Sequence, residues 1–167
     1  ELVPVKPNLL DIVTTYTKRV AEENDYQMMP YAFNHPIYIE YFSDRMKELV
    51  DENAFDNLVI NAGSGVTGSG LLKGFMDYDS FIPQKNSYLI TTAGQKSITH
   101  MLKKWDVYHH KNVHIHEAEH DFFDNMDWLD TPFPCNGNWD KKAWYWLENN
   151  ISKFDGKVLF WNLGGNW

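Results

Sequence analysis

The stretch NLVINAGSGVTGSGLLKGF, residues 57–75, decides the fold class of this 167-residue chain. It joins a short apolar run at 58–60 to a glycine-rich turn at 63–68, and then to a helical apolar pattern that reaches Phe75. Glycines permit positive φ and let peptide N–H groups point into one concavity, to which the following helix adds its positive end. The turn therefore predicts either a cup for a phosphate group or a tight strand-to-helix connection without a ligand.

The same alternation of short apolar runs and amphipathic helices continues on both sides of this stretch. Strands are predicted at 58–60, 88–92, 113–116 and 157–163, and helices at 9–23 (capped by Asn8), 39–50, 71–75, 96–105 and 140–150. An extended segment at 26–29 and a loop at 124–138 complete the pattern. Strands that alternate with helices predict an α/β fold with a largely parallel sheet and helices on both faces. We expect a single α/β domain over 1–167.

Composition narrows the function classes. The chain is 43% hydrophobic and 16% aromatic, which predicts a folded core. A net charge of −8 argues against a nucleic-acid or anionic-membrane surface, and no apolar run approaches the length of a membrane helix. The single cysteine, Cys135, cannot form an internal disulfide, and no signal peptide is visible. We therefore expect a cytoplasmic protein that contacts neither nucleic acid nor membrane.

Four segments, in the same order, resemble fold-type II pyridoxal 5′-phosphate (PLP) enzymes of the D-cysteine desulfhydrase and aminocyclopropane-carboxylate deaminase type. They are MPY at 29–31 with the helix that follows, the glycine turn, WDKKAW at 139–144 (similar to a Tyr-x-x-Lys-Ala motif) and KVLFWNLGG at 157–165. The resemblance implies a tryptophan-synthase-β-like PLP-binding domain. It also implies PLP as cofactor and a lyase or deaminase reaction on a small amino acid.

The resemblance assigns roles to nine residues. Those implied to hold the cofactor phosphate are Gly63, Ser64, Gly65, Val66, Thr67 and Gly68, with Val66 in place of a family glycine. Trp139 stands where a tyrosine lies near the pyridine ring, and Leu163 stands where the desulfhydrase branch has a threonine. Asp140 stands where the deaminase branch has a glutamate facing the pyridine nitrogen, although its position also suits a helix N-cap.

The family's catalytic lysine has no counterpart here. In the family, this Schiff-base lysine and a Ser-Asn-His segment lie in the first part of the chain, and no lysine here has the matching context. The resemblance therefore implies an incomplete domain that is inactive when isolated. We expect a complementary chain to supply the lysine. The alternatives are that the chain forms a homo-oligomer, or that it is a repurposed module without catalytic activity.

A zinc hydrolase is the competing hypothesis. The stretch HEAEH at 116–120 fits H-E-x-x-H, in which two histidines one helical turn apart bind zinc and the glutamate is the general base. The preceding residues favour a strand rather than a helix. On a strand, His114 and His116 point to one face, and with His120 they are alternative metal ligands.

Overall fold

The chain divides into two compact units, Glu1–His35 and Pro36–Trp167. A computed structural model describes residues 10–52, 55–76, 86–109 and 112–163. The first unit contains helix α1 (Leu10–Glu23) and a short 3-10 turn (Tyr31–Phe33). The predicted first helix is thus confirmed from Leu10 onward, while its Asn8 cap lies outside the described residues. The assignment of 1–167 to one domain stays a prediction.

The second unit contains the sheet and the other helices. Its helices are α2 (Pro36–Asp51), α3 (Val66–Met76), α4 (Gln95–Lys104) and α5 (Asp140–Asn150), with a 3-10 turn at Ile151–Lys153. Its strands are β1 (Asn57–Asn61), β2 (Asn86–Thr91), β3 (Val113–Glu117) and β4 (Val158–Trp161). All are parallel, in the order β3-β2-β1-β4. The α/β fold with a largely parallel sheet is confirmed.

Side chains alternate between the two faces of the sheet, and each face is covered. Leu58, Ile60 and Leu89 belong to a core that includes residues of α2, α3 and α4. Their neighbours Val59 and Ile90 belong to a second core with residues of α5. Because successive residues of a strand point to opposite faces, helices lie on both sides of the sheet, as predicted. No helix within the described ranges is long and apolar enough to cross a membrane.

The strand order reverses at β1. From β1 the chain moves to β2 and then β3 on one side, and β4 returns to pair with the other side of β1. In open parallel sheets, such a reversal opens a crevice at the carboxyl ends of the two strands, because the flanking helices lie on opposite faces. The carboxyl ends of β1 and β4 are therefore where the topology favours a ligand.

Helix α3 packs unusually close to α2 because two of its residues have no side chain. A Cβ placed on Gly70 would lie 2.9 Å from the carbonyl oxygen of Ile39, and one on Gly74 would lie 2.5 Å from that of Ser43. Both distances are shorter than a carbon atom and a backbone oxygen tolerate. The glycines thus set the spacing between α2 and α3.

We predict that Gly74→Ala lowers the free energy of unfolding by about 1–3 kcal/mol, the usual cost of overpacking. Alanine is the better helix former, so propensity alone would predict a gain. Chemical denaturation measures the change, with Lys73→Ala on the same helix as control, expected within about 0.5 kcal/mol of the parent. A stability gain in Gly74→Ala would contradict the close packing.

Candidate functional site

A cleft of about 270 Å³ lies at the carboxyl ends of β1 and β4, where the strand order reverses. The residues that line it are Asn61, Ala62, Gly63, Ser64, Gly65, Thr67, Gly68, Trp139, Asp140 and Leu163. Every residue assigned to the cofactor from sequence lies here except Val66. The structure thus brings together residues about 100 positions apart in the chain. Their role in binding a cofactor stays a prediction.

Val66 is placed differently from the expectation. It is the first residue of α3, its side chain is only 2% exposed, and it does not line the cleft. Its peptide N–H lies 3.4 Å from Ser64 Oγ, a long contact. Burial of an apolar, β-branched side chain turns it away from a polar cup, so Val66 contributes at most its backbone.

The rest of the glycine turn presents open donors to the cleft. Gly65 has φ +82°, and its carbonyl accepts hydrogen bonds from the Ser69 N–H at 2.9 Å and the Ser69 hydroxyl at 2.8 Å. Within the described part of the chain, no hydrogen bond engages the N–H groups of Gly63, Ser64, Gly65 or Thr67. Unpaired N–H groups before a helix N-terminus are suited to an anion.

Trp139 and Asp140 form the opposite wall. The Trp139 ring faces the turn, since a Cβ placed on Gly63 would lie 3.9 Å from Trp139 Cζ3. Asp140 is the first residue of α5 and is 2% exposed, so its side chain lies at the positive end of that helix dipole. The N-cap position belongs to Trp139, so the alternative assignment of Asp140 as the cap is wrong.

Cys135 is buried near this wall. Burial, and secondarily the charge of Asp140, raises the pKa of the Cys135 thiol to about 11. The thiol therefore stays protonated at neutral pH and is a poor nucleophile.

Two buried lysines follow Asp140 and hold the loop between β3 and α5. The Lys141 ammonium donates to the carbonyls of Leu129 at 2.7 Å and Asp127 at 3.5 Å. The Lys142 ammonium donates to the carbonyls of Asp121 at 2.5 Å and Phe122 at 2.9 Å, and burial lowers its pKa. Both ammonium groups thus bind the loop, and the described lining of the cleft contains no lysine.

The zinc alternative is not supported by the geometry. His116 and Glu117 end strand β3 and His120 lies beyond it, so the helix that H-E-x-x-H requires is absent. His114 and His116 do share a face, where their rings stack on Tyr88 with centroids 4.8 and 6.1 Å away. His120 instead contacts Tyr145 and Trp128. The described residues contain no group of three or more candidate metal ligands.

Sequence reasoning missed three residues around the cleft. Asn61 and Ala62 line it directly, and Phe122 packs on Trp139 with ring centroids 4.8 Å apart. The position of Asn61 and Ala62 at the carboxyl end of a strand before a glycine turn is a signal that would have found them. No sequence signal places Phe122 beside Trp139.

Comparison with known proteins agrees with a PLP-type site. No protein-family model matches the chain. The chain is similar to a glycyl-dTMP PLP-dependent decarboxylase of Pseudomonas phage M6, with 27% identity over 159 residues. The similarity covers 78% of this chain and 53% of the phage protein. The chain thus spans about half the length of the curated relative that it matches.

We predict that Lys142→Met speeds amide hydrogen exchange around residues 121–124 about tenfold, because two loop carbonyls lose a charged donor. Lys141→Met is the matched comparison and should loosen residues 127–129 instead. Exchange followed by mass spectrometry resolves the two segments. Equal effects of both variants throughout the loop would show that the lysines do not hold separate parts of it.

We also predict that Cys135 reacts with iodoacetamide only slowly at pH 8, where a thiol of pKa about 11 is about one-thousandth ionised. The alkylation rate should continue to rise up to pH 10. Asp140→Asn removes a negative charge, which should lower the thiol pKa and raise the rate at pH 8. An unchanged pH profile in this variant would show that Asp140 carries no charge beside Cys135.

Proposed function

We propose that this chain is the part of a PLP-dependent lyase that holds the cofactor's phosphate and pyridine ring. The observation that carries the proposal is the row of unpaired N–H groups in the glycine turn, which faces a buried carboxylate across one cleft. A phosphate ester needs such donors, and a protonated pyridine nitrogen needs such a carboxylate. The named activity of the phage relative supports the same cofactor.

The residues present fit the two ends of PLP. The open N–H groups of Gly63, Ser64, Gly65 and Thr67 and the hydroxyls of Ser64 and Thr67 would hold the phosphate. Asp140 would keep the ring nitrogen protonated, and Trp139 and Leu163 would wall the ring with apolar surface. PLP supplies an electron sink for bonds at the α-carbon of an amino acid, and a protonated ring nitrogen strengthens that sink.

The lysine that binds the cofactor covalently is proposed to come from outside these 167 residues. Lys141 and Lys142 lie next to Asp140, but their ammonium groups are engaged by loop carbonyls. A lysine in that state is a poor nucleophile, because it would first have to give up its hydrogen bonds to two backbone carbonyls. We propose a complementary chain as its source, as the resemblance to fold-type II enzymes implies.

Decarboxylation is the reaction that the relative favours within the lyase class. The name of the phage protein states a decarboxylase, and its substrate, glycyl-dTMP, combines a glycyl group with a nucleotide. We propose for this chain a substrate of the same kind, an amino-acid group joined to a nucleotide. We therefore propose decarboxylation rather than the desulfhydrase or deaminase reactions that the fold-type II resemblance implies.

The test is a calorimetric and absorbance titration of the full chain with PLP and, separately, with pyridoxal, which has no phosphate. We expect PLP to bind more tightly than pyridoxal. The double substitution Ser64→Ala and Thr67→Val should lower the affinity for PLP about 10- to 100-fold, because it removes hydrogen bonds to a charged group. The same double variant should leave the affinity for pyridoxal unchanged.

Asp140→Asn supplies the matched test of the ring end. Without the carboxylate, the pKa of the bound pyridine nitrogen should fall, and a pH titration of the PLP absorbance measures this shift. Equal binding of PLP and pyridoxal by the parent chain would contradict the phosphate cup. If PLP binds neither to the chain alone nor to its complex with the complementary chain, the chain is a module without this cofactor.

A further inference from the structure

An aromatic cluster lies at the edge of the cleft. It consists of Trp139, Phe122 and Phe123, and we call it the aromatic rim. Phe122 contacts Trp139 edge-on with ring centroids 4.8 Å apart, and Phe123 contacts Phe122 in the same manner at 5.1 Å. Trp139 also lines the cleft, so the rim continues from the site outward.

The rim exposes far more aromatic surface than packing requires. Phe123 is 90% exposed, Phe122 is 42% exposed and Trp139 is 40% exposed. Phe122 contacts both of the other rings, so the three exposed rings form a contiguous apolar surface at the edge of the cleft. An exposed apolar surface of this kind is more often a binding site than a purely structural feature.

The loop that carries the rim is held in place. The Lys142 ammonium binds the carbonyls of Asp121 and Phe122. The Asp121 N–H donates to Asp124 Oδ2 at 2.9 Å, and the Asp124 N–H donates to the Asp121 carbonyl at 3.1 Å. The rings at 122 and 123 are therefore presented by a closed turn whose backbone is anchored to α5, which limits the entropy lost when a ligand binds.

We propose that the aromatic rim binds the base of a mononucleotide substrate through Phe122 and Phe123. This proposal rests on the proposed function, because it assumes that the cofactor occupies the cleft and that the substrate extends from it past Trp139. Nucleobases are flat and stack on aromatic side chains whatever their sequence. The rim thus acts as a specificity element for the part of the substrate that does not react.

Charge favours a base over a second phosphate on the rim, and a single nucleotide over a polymer. Asp121 and Asp124 flank the two phenylalanines, and both carboxylates would repel a phosphate group. The whole chain has a net charge of −8, which opposes the counterion release that binding to a polynucleotide requires. An uncharged base is the part of a nucleotide that suits this surface.

The experiment is a calorimetric titration of the full chain with thymidine, with and without saturating PLP. Thymidine carries a base and no phosphate, so it cannot report on the phosphate cup. We expect the double variant Phe122→Leu and Phe123→Leu to bind thymidine at least about tenfold more weakly than the parent chain, equivalent to about 1.4 kcal/mol. Leucine keeps the apolar area but cannot stack, and circular dichroism verifies that the variant folds.

Tyr108→Ala is the matched control. Tyr108 is 41% exposed, close to the 42% of Phe122, and the Lys103 ammonium lies 4.9 Å from the centre of its ring. Among the described residues, its aromatic contact is with His109 and not with a ring of the rim. Thymidine affinity should be unchanged in this variant. A second control ligand, 2-deoxyribose 5-phosphate, has no base, and its affinity should not respond to the leucine substitutions.

The outcomes separate this proposal from the proposed function. Failure of the parent chain to bind thymidine, or equal binding by the leucine variant, overturns the rim as a base site even where PLP binds normally. Tighter binding of an oligothymidylate than of thymidine, lost in the leucine variant, overturns it in favour of a polynucleotide surface. Thymidine binding that depends on the rim while PLP binding fails would retain the rim and reject the cofactor.

Discussion

The close approach of α3 to its neighbours is the constraint on which the rest of the structure depends. A Cβ on Gly68 would lie 3.0 Å from Leu89 of β2, and one on Gly74 would lie 2.5 Å from the backbone of α2. The glycines at 68, 70 and 74 therefore serve packing. Because α3 is held against the sheet on one side and α2 on the other, its N-terminus is fixed at the carboxyl end of β1, where the open N–H groups lie.

The glycines of this region serve either packing or the shape of the turn, and this difference explains what the sequence could and could not predict. The strands and helices were predictable because each apolar run has one period and clear ends, and the parallel sheet followed from their alternation. The glycine turn predicted the location of the cleft, but it did not predict which glycines are needed for backbone conformation and which for packing. Gly65 needs its positive φ, whereas a side chain at Gly68 would crowd Leu89 of the neighbouring strand. Only the packed structure separates these two reasons for the same residue type.

The other departures from the sequence predictions have equally local causes. Val66 lies within the turn, but an apolar residue that starts a buried helix is drawn to the core. The H-E-x-x-H pattern falls at the end of β3, where the parallel pairing of His116 with Ile90 keeps the backbone extended and prevents a helical turn. The two lysines of WDKKAW were part of the resemblance, but their role in holding the loop was not predictable, because their acceptors are backbone carbonyls 12 to 21 residues away, which have no sequence signature.

The two ends of the cleft differ in charge. Two helices begin there, and each presents the positive end of its dipole. The first turn of α3 carries no acidic residue, so its positive end and the open N–H groups are left for an anion. The first turn of α5 carries Asp140, whose carboxylate places negative charge at that end of the cleft. This distribution of charge would favour a phosphate at the α3 end and a basic ring nitrogen at the Asp140 end, because the reverse orientation would place like charges together at both ends.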